Sequence, residues 1–328
     1  MLSVILGAGF SYVGGVPLAS QLFGSVPEVD RITRRQLVAR VVRGWQSWHA
    51  SNGGGPEQYL AVLQEERGVA WYEAVWFVSL SIALKTARLQ MVGSRPAITG
   101  HQLNKATGIP CHEKFWTTIF RKTDEVAVLT TNYDILIERG IRNQPRPRVP
   151  RPGFNYGLGP EILEGRGYPS FAHMRPIAAS GSVPLYKLHG SVSWSVENGA
   201  LMKYYDCRPS IRGDAAIVAP VTEKLVPGFL EPIWRGAAEC LSKSDIWIIV
   251  GYSLPSYDIA VRNLLSDNAE HGPTVHVFNP SRAVEPEISE LLPRATIHME
   301  SGLPEGLPRL ERIMSSMEDA RRASTERY

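Results

Sequence analysis

Short, unbroken apolar runs alternate along this chain with stretches in which apolar residues recur every three or four positions. Val4-Ile5-Leu6, Val126-Ala127-Val128-Leu129, Leu185-Tyr186-Lys187-Leu188 and Ala216-Ile217-Val218-Ala219 are runs of the first kind. Ile246-Trp247-Ile248-Ile249-Val250 and Val275-His276-Val277-Phe278 complete the set. Bounded by turn residues, they predict strands, Val4-Ile5-Leu6 a buried parallel one. Residues 17–23, 231–242 and 256–268 predict helices that follow strands. From about residue 30 to 121 the pattern is helical, with Ile32, Leu37, Val38, Val41 and Val42 spaced for one face. Ser51-Asn52-Gly53-Gly54-Gly55-Pro56 breaks that stretch as a loop, and a second helical block covers 57–90. Residues 192–205, with Asn198-Gly199 near the middle, predict a hairpin.

Strands alternating with helices at this spacing predict an α/β chain with a doubly wound, mostly parallel, Rossmann-like sheet and a helical insertion. The expected organisation is one domain over 1–328. Its core takes in about 1–29 and 124–300, the insertion about 30–123, and a C-terminal helix or tail 301–328. Residues 143–183, rich in Pro, Gly and Arg, read as a long irregular segment of the kind that forms lids and binding surfaces. The charged residues 317–328 predict a fraying end.

Composition narrows the classes. Among 328 residues, 44% are hydrophobic and 20% charged, ordinary for a folded chain, and a net charge of +3 is too small to argue for nucleic acid. Arg142, Arg146, Arg148 and Arg151 form a proline-interrupted basic stretch that reads either as a solvated loop or as an anion contact. The three cysteines, Cys111, Cys207 and Cys240, form no Cys-x-x-Cys pair, which points to a reducing compartment without a disulfide framework. The first strand begins almost at Met1, with no basic n-region before it. The apolar stretch 70–84 is short for a membrane span and carries Glu73, so it reads as a buried helix. The expectation is a cytoplasmic protein with no membrane or nucleic-acid partner.

The strand ends carry the chemistry. Gly7-Ala8-Gly9-Phe10-Ser11 follows the first strand, and Thr130-Thr131-Asn132-Tyr133-Asp134 and Leu188-His189-Gly190-Ser191 follow later ones. In open α/β sheets the carboxyl edge is where ligands bind. Gly7 and Gly9 permit a tight turn whose amides can approach a phosphate, although any tight strand-to-helix turn uses such glycines. Asn132 and Asp134 read equally as an Asx turn capping the next helix. His189 reads as a structural histidine or as a general base near neutral pH. Gly251-Tyr252-Ser253 and Asn279 close two further strands. The tryptophans Trp45, Trp48, Trp71 and Trp76 stand at helical spacing, as core or as a partner surface.

Together these motifs resemble the sirtuin family, and more closely its NAD-cleaving branch from bacterial anti-phage defence. The likeness runs over five elements in register, from the first strand to Asn279: Gly-Ala-Gly-x-Ser with a following Gly15-Val16-Pro17, the Thr-Thr-Asn-Tyr-Asp stretch, His189-Gly190, Gly251-Tyr252-Ser253 and Asn279. The resemblance implies that Ala8, Gly9 and Ser11 face the phosphates and nicotinamide-side ribose of NAD, with Gly7 counted in the same cofactor-binding turn. It implies that Asn132 holds ribose and the attacking water, Asp134 the carboxamide, and His189 the nicotinamide ribose. Gly251, Ser253 and Asn279 would take a phosphate and the adenosine ribose.

Two departures shape the expectation. Paired Cys-x-x-Cys knuckles are missing, which predicts no structural zinc. Leu18-Ala19-Ser20 stands where deacylases carry an acidic-Phe-Arg run, which counts against acyl-peptide chemistry. The expected function is an NAD glycohydrolase, with Asn132 and His189 catalytic and NAD as substrate. Control by a partner subunit or a homo-oligomer is part of that expectation. The alternatives are a non-catalytic NAD- or ADP-ribose-binding subunit, and NAD-dependent deacylation or ADP-ribosyl transfer.

Overall fold

The structure, a computed structural model, describes residues 1–23, 35–66, 68–86, 88–92, 95–99, 109–142, 154–157, 163–164, 183–197, 200–203, 214–218 and 226–325. The chain opens with β1 (Leu2–Leu6) and α1 (Ala8–Val13), followed by a 3₁₀ turn, Ala19–Gln21. Three helices come next, α2 (Arg35–Asn52), α3 (Pro56–Glu66) and α4 (Val69–Thr86), then the antiparallel pair β2 (Arg88–Val92) and β3 (Arg95–Thr99). The sheet resumes through α5 (Ile109–Phe120), β4 (Val126–Thr130), α6 (Leu136–Arg142), β5 (Phe154–Asn155), β6 (Leu163–Glu164) and β7 (Val183–Lys187). After it come β8 (Gly190–Glu197), β9 (Ala200–Lys203), β10 (Asp214–Ile217) and α7 (Glu231–Ser242). The chain ends through β11 (Ile246–Val250), α8 (Ile259–Asp267), β12 (Thr274–Phe278), α9 (Glu285–Leu291), β13 (Thr296–Glu300) and α10 (Leu307–Thr325).

Among the described residues the main sheet has seven strands in the order β13-β12-β11-β1-β4-β7-β5, and every neighbouring pair is parallel. This is the doubly wound α/β arrangement. The chain runs outward from β1 through β4 and β7, then returns to lay β11 on the other side of β1. The β1–β11 border is therefore the topological switch point, where open sheets hold ligands. All-parallel strands need both faces covered, and every residue of β1 and β4 is buried. Helical residues complete that core, among them Phe115, Trp116, Ile137, Ile233, Leu265 and Met314.

A second apolar cluster is built by α2, α3 and α4, through residues such as Val38, Leu60 and Phe77. Ile135, Leu136, Val192 and Ile217 join it, so the helical cluster rests against the β4–α6 connection and the smaller sheet. That smaller sheet has the order β10-β8-β9-β6. Trp45, Trp48, Trp71 and Trp76 are partly buried against this cluster, with Trp45 stacked 5.3 Å from Phe23. No described helix is long and apolar enough to cross a membrane.

Several elements differ from expectation. The first helix starts inside the glycine turn, at Ala8, and stops at Gly14–Gly15, where Gly15 has a φ of +89°. Residues 17–23 keep only a 3₁₀ turn. The block expected to be helical over 57–90 forms two helices, ending at Glu66 and beginning again at Val69, and β2 starts at Arg88. Residues 317–325 do not fray but continue α10. Lys122 holds Glu318 at 2.6 Å, and Arg321 reaches Glu125 at 2.7 Å and the Thr123 hydroxyl at 3.0 Å. α5 packs into the sheet core through Phe115 and Trp116 rather than with α2–α4. Arg146, Arg148 and Arg151, the Asn198-Gly199 turn, Cys207 and most of 143–183 lie outside the described residues.

Candidate functional site

Register brings the strand-end motifs to one edge. Phe278, Val250, Leu6, Thr130 and Lys187 are successive partners across five strands. The residues immediately after them therefore line one rim: Asn279, Gly251, Gly7, Thr131 and Leu188. Two cavities open there. One, of about 140 Å³, is lined by Ala8, Ser11, Asn132, Asp134, His189, Gly251 and Ser253 among others. The second, of about 870 Å³, is lined by Gly9, Tyr12, Gly251, Phe278, Pro280 and further apolar residues. Gly251, Val16, Pro17 and Leu22 border both. Gly7 and Asn279 border neither.

The glycines at the switch point serve close approach. A Cβ on Gly7 would stand 2.5 Å from the Tyr252 Cα, and one on Gly251 would stand 2.4 Å from the Phe10 nitrogen. Gly251 also holds a φ of +60°, where a side chain is strained. The Gly7 and Gly9 amides are not turned to the cavity. They donate to the Val250 carbonyl at 3.0 Å and the Gly251 carbonyl at 2.8 Å, so the two turns interlock. The helix behind them is pinned by His112, whose Nε2 donates to the Phe10 carbonyl at 2.7 Å while its ring stacks on Phe10. Burial pushes the His112 pKa down, against the opposing pull of that carbonyl and of Asp134.

Asn132 ties β4 to this turn. Its Nδ2 donates to the Gly7 carbonyl and to Ser11 Oγ, both at 2.8 Å, and its own amide donates to Thr130 Oγ1 at 3.0 Å. Asp134 Oδ1 accepts the Leu136 amide at 2.9 Å and so opens α6 as an Asx turn. Both residues thus make the structural bonds of a strand end while lining the cavity. Asn279 turns its side chain inward to Ser281 N, at 3.0 Å, and to the Tyr252 carbonyl.

Residues the sequence did not single out support or complete the wall. Lys187, fully buried, donates to the Asp134 carbonyl and, at 3.0 Å, to Glu138 Oε1, which also receives the Tyr156 hydroxyl. Asp258 lies with its Oδ1 3.4 Å from His189 Nε2, and its Oδ2 accepts the Tyr252 hydroxyl at 2.8 Å. That histidine–carboxylate approach is an ion-pair distance rather than a well-formed hydrogen bond. Glu57, on α3, accepts the Tyr257 hydroxyl at 2.5 Å and brings the helical cluster to the cavity. Burial, reinforced by Asp258 for Tyr133 and Tyr252 and by Glu57 for Tyr257, holds the three hydroxyls above their ordinary range, so each stays a donor at neutral pH. For Tyr133 the acceptor is the Val218 carbonyl, at 2.6 Å.

The signals for these residues were faint. A lysine inside an apolar strand calls for a buried acceptor, and Lys187 has two. Asp258 precedes a helix, where an aspartate is common as a cap. Glu57 is 200 residues from its partner. Among the described residues, no group of three or more His, Cys, Asp or Glu side chains is placed to hold a metal ion.

A family model described as a SIR2-like domain matches residues 126–292, over half of the 328-residue chain. No curated protein matches the chain. Among solved structures, a Sir2 homologue–NAD complex is 14% identical, covering 97% of this chain and 90% of that one, with a TM-score of 0.49. A Sir2 homologue variant in complex with 2′-O-acetyl ADP ribose is 15% identical, covering 97% and 92%, also with a TM-score of 0.49.

Proposed function

This chain belongs to the SIR2-like domain family, and from that premise we propose that it is an NAD glycohydrolase. NAD and water give nicotinamide, ADP-ribose and a proton. The observation that carries the reading is the convergence of Asn132, Asp134 and His189 on one small cavity at the switch point, bordered by Gly251 and continued by a larger apolar cavity. In this reading the smaller space takes the nicotinamide riboside and the larger, lined by Phe278 and Pro280, the adenosine end. The diphosphate spans the border that Gly251, Val16 and Pro17 share between the two cavities.

The bond between ribose C1′ and the pyridinium nitrogen breaks, its electron pair leaves with nicotinamide, and positive charge builds on the ribose. The buried carboxylate of Asp134 suits that charge. Asn132 donates both amide hydrogens within the fold, so its Oδ1 is the atom that receives a hydrogen bond from the attacking water. His189 accepts the proton lost by that water or by a ribose hydroxyl. Asp134, with Oδ1 held by Leu136, turns its other oxygen to the carboxamide. A free enzyme of this kind would deplete a central cofactor, so the proposal includes control by a partner subunit or a homo-oligomer. A role as a regulated effector in bacterial anti-phage defence rests on the resemblance of the motifs.

One observation favours a second reading, an NAD- or ADP-ribose-binding module that does not cleave. Asn132 and Asp134 already have structural work in the strand end. Incubating purified protein with NAD and separating the products decides between them. Nicotinamide and ADP-ribose released by the parent and not by His189→Ala support the hydrolase. NAD bound with measurable affinity and recovered intact supports the binding module.

A further inference from the structure

Asp258 stands where a helix cap belongs and does not cap. It immediately precedes α8, the position from which an aspartate ordinarily accepts a first-turn amide, yet its side chain makes no capping bond. The carboxylate is turned inward instead. Oδ2 accepts the Tyr252 hydroxyl at 2.8 Å, and Oδ1 lies 3.4 Å from His189 Nε2. The side chains of His189 and Asp258 are only 3% and 1% exposed, and both border the cavity that Asn132 and Asp134 line.

The connection that delivers Asp258 is braced. Leu254, buried and not a glycine, holds a φ of +51°, a conformation kept only where surroundings enforce it. Arg262 Nη1 donates to the Leu254 carbonyl at 2.9 Å, and the Arg262 amide donates to the Asp258 carbonyl at 3.0 Å. A buried carboxylate is costly unless its neighbours satisfy it. Tyr252 and His189 are among the side chains placed at its two oxygens.

We propose that Asp258 is the positioning residue for His189, fixing the orientation and tautomer of the imidazole that accepts the proton. The proposal rests on the reading of His189 as that acceptor. A carboxylate opposite Nε2 places the ring proton there and leaves the basic lone pair on Nδ1. When Nδ1 takes up a second proton, the imidazolium forms against an anion already in place. The 3.4 Å separation is looser than a closed hydrogen bond, as ligand-free sites are before they tighten on substrate.

Other titratable groups face the same space. From the β4–α6 connection come Tyr133, whose ring centroid is 6.3 Å from that of His189, and Asp134, whose carboxylate is engaged by Leu136. From the β11–α8 connection come Tyr252 and Tyr257, and from α3 comes Glu57, bonded to Tyr257. Among the described ion pairs, that of His189 is with Asp258.

The test compares the parent with Asp258→Asn, which keeps the shape and an acceptor for Tyr252 but removes the charge. Three quantities are read: NAD affinity, single-turnover nicotinamide release, and the His189 imidazole titration by NMR in the ligand-free protein. The expected result is an unchanged affinity, release slowed by about 10- to 100-fold, and a His189 midpoint lowered by about one pH unit or more. A parent-like rate together with a parent-like His189 midpoint would overturn the positioning role while leaving the hydrolase reading intact. If the His189 midpoint falls while the parent itself releases no nicotinamide, positioning stands and the hydrolase reading fails. Should Asp258→Asn not fold, Tyr252→Phe keeps the carboxylate and frees its anchor. It is expected to slow release several-fold at unchanged affinity, and an unchanged rate there would overturn the proposal.

Discussion

Lys187→Met severs the buried support of the Asp134 connection. The ammonium is fully buried between the Asp134 carbonyl and Glu138 Oε1, 3.0 Å away, and the Glu138 side chain is 7% exposed. At an effective dielectric near 20, that separation gives roughly 5 kcal/mol of attraction, set against the desolvation of two ions. Removing the cation alone leaves Glu138 buried as an uncompensated anion whose Oε2 has no hydrogen-bond partner among the described residues. The expected loss is about 3–5 kcal/mol. At about 2.1 cal/mol/K per residue, 328 residues give an unfolding entropy near 0.7 kcal/mol/K, so the melting midpoint drops by about 4–7 °C. Urea unfolding followed by tryptophan fluorescence measures the same loss at fixed temperature. Lys187→Met with Glu138→Leu removes both charges, and most of the stability should return because no ion is then stranded. NAD affinity should stay weakened in the double variant, since the Asp134 carbonyl has still lost its anchor. A single variant within about 1 kcal/mol of the parent, or a double variant less stable than the single, would refute the account.

Three further outcomes follow from the site and its surroundings. Asn132→Ala and His189→Ala should each slow nicotinamide release by about two to four orders of magnitude. Asn132→Ala should also cost about 1–3 kcal/mol of stability, because it unties Gly7 and Ser11, and melts run beside single-turnover assays separate stability from rate. Gly251→Ala places a Cβ 2.4 Å from the Phe10 nitrogen at a φ of +60°. It should cost roughly 2 kcal/mol or more and abolish NAD binding, and a parent-like affinity by calorimetry would count against the switch point as the binding site. Burial lowers the His112 and His276 pKa values, outweighing the Phe10 carbonyl and Glu300 respectively. Below about pH 6.5 the unfolded imidazoles therefore take up protons that the folded ones refuse. Stability should be full above that pH and fall below it by at most about 2.7 kcal/mol per pH unit for the pair. Denaturation midpoints unchanged between pH 7.5 and 5.5 would contradict this.

The carboxyl edge of the sheet was legible because each motif follows a short β-branched or apolar run: Gly7, Asn132, His189 and Gly251 stand just beyond one. α7 and β11 fall where the pattern put them, with Pro232 in the first helical turn and five apolar residues in the strand. β13 escaped notice because it is a sheet edge, and Thr296-Ile297-His298-Met299-Glu300 alternates instead of running apolar. α1 was hidden by its own glycines, since a six-residue helix inside a turn has no periodicity to show. The plain reading of Asn132 and Asp134 as strand-end and capping residues is realised in the structure, and so is their place on the cavity wall. Lys187, Asp258 and Glu57 depended on contacts made across the sheet or from another element, which local pattern cannot carry.

The switch point also sets a schedule. β1 lies in the middle of the sheet, but its partner β11 is synthesised some 240 residues after it, and the Ser3 hydroxyl meets that of Ser244 at 2.8 Å. At about 5–20 residues per second on the ribosome, one side of β1 waits roughly 12–48 s for its neighbour. β4 arrives halfway through and covers the other side. The cavity wall formed by Gly251, Tyr252 and Asp258 comes only with the late strand and its turn, so a nascent chain lacks the site until the sheet closes. Pairing across so long a loop makes the central strands slow to join and leaves an apolar edge open meanwhile. Pairing of the central strand on its second side and formation of this cavity wall are therefore a single event in the life of the chain.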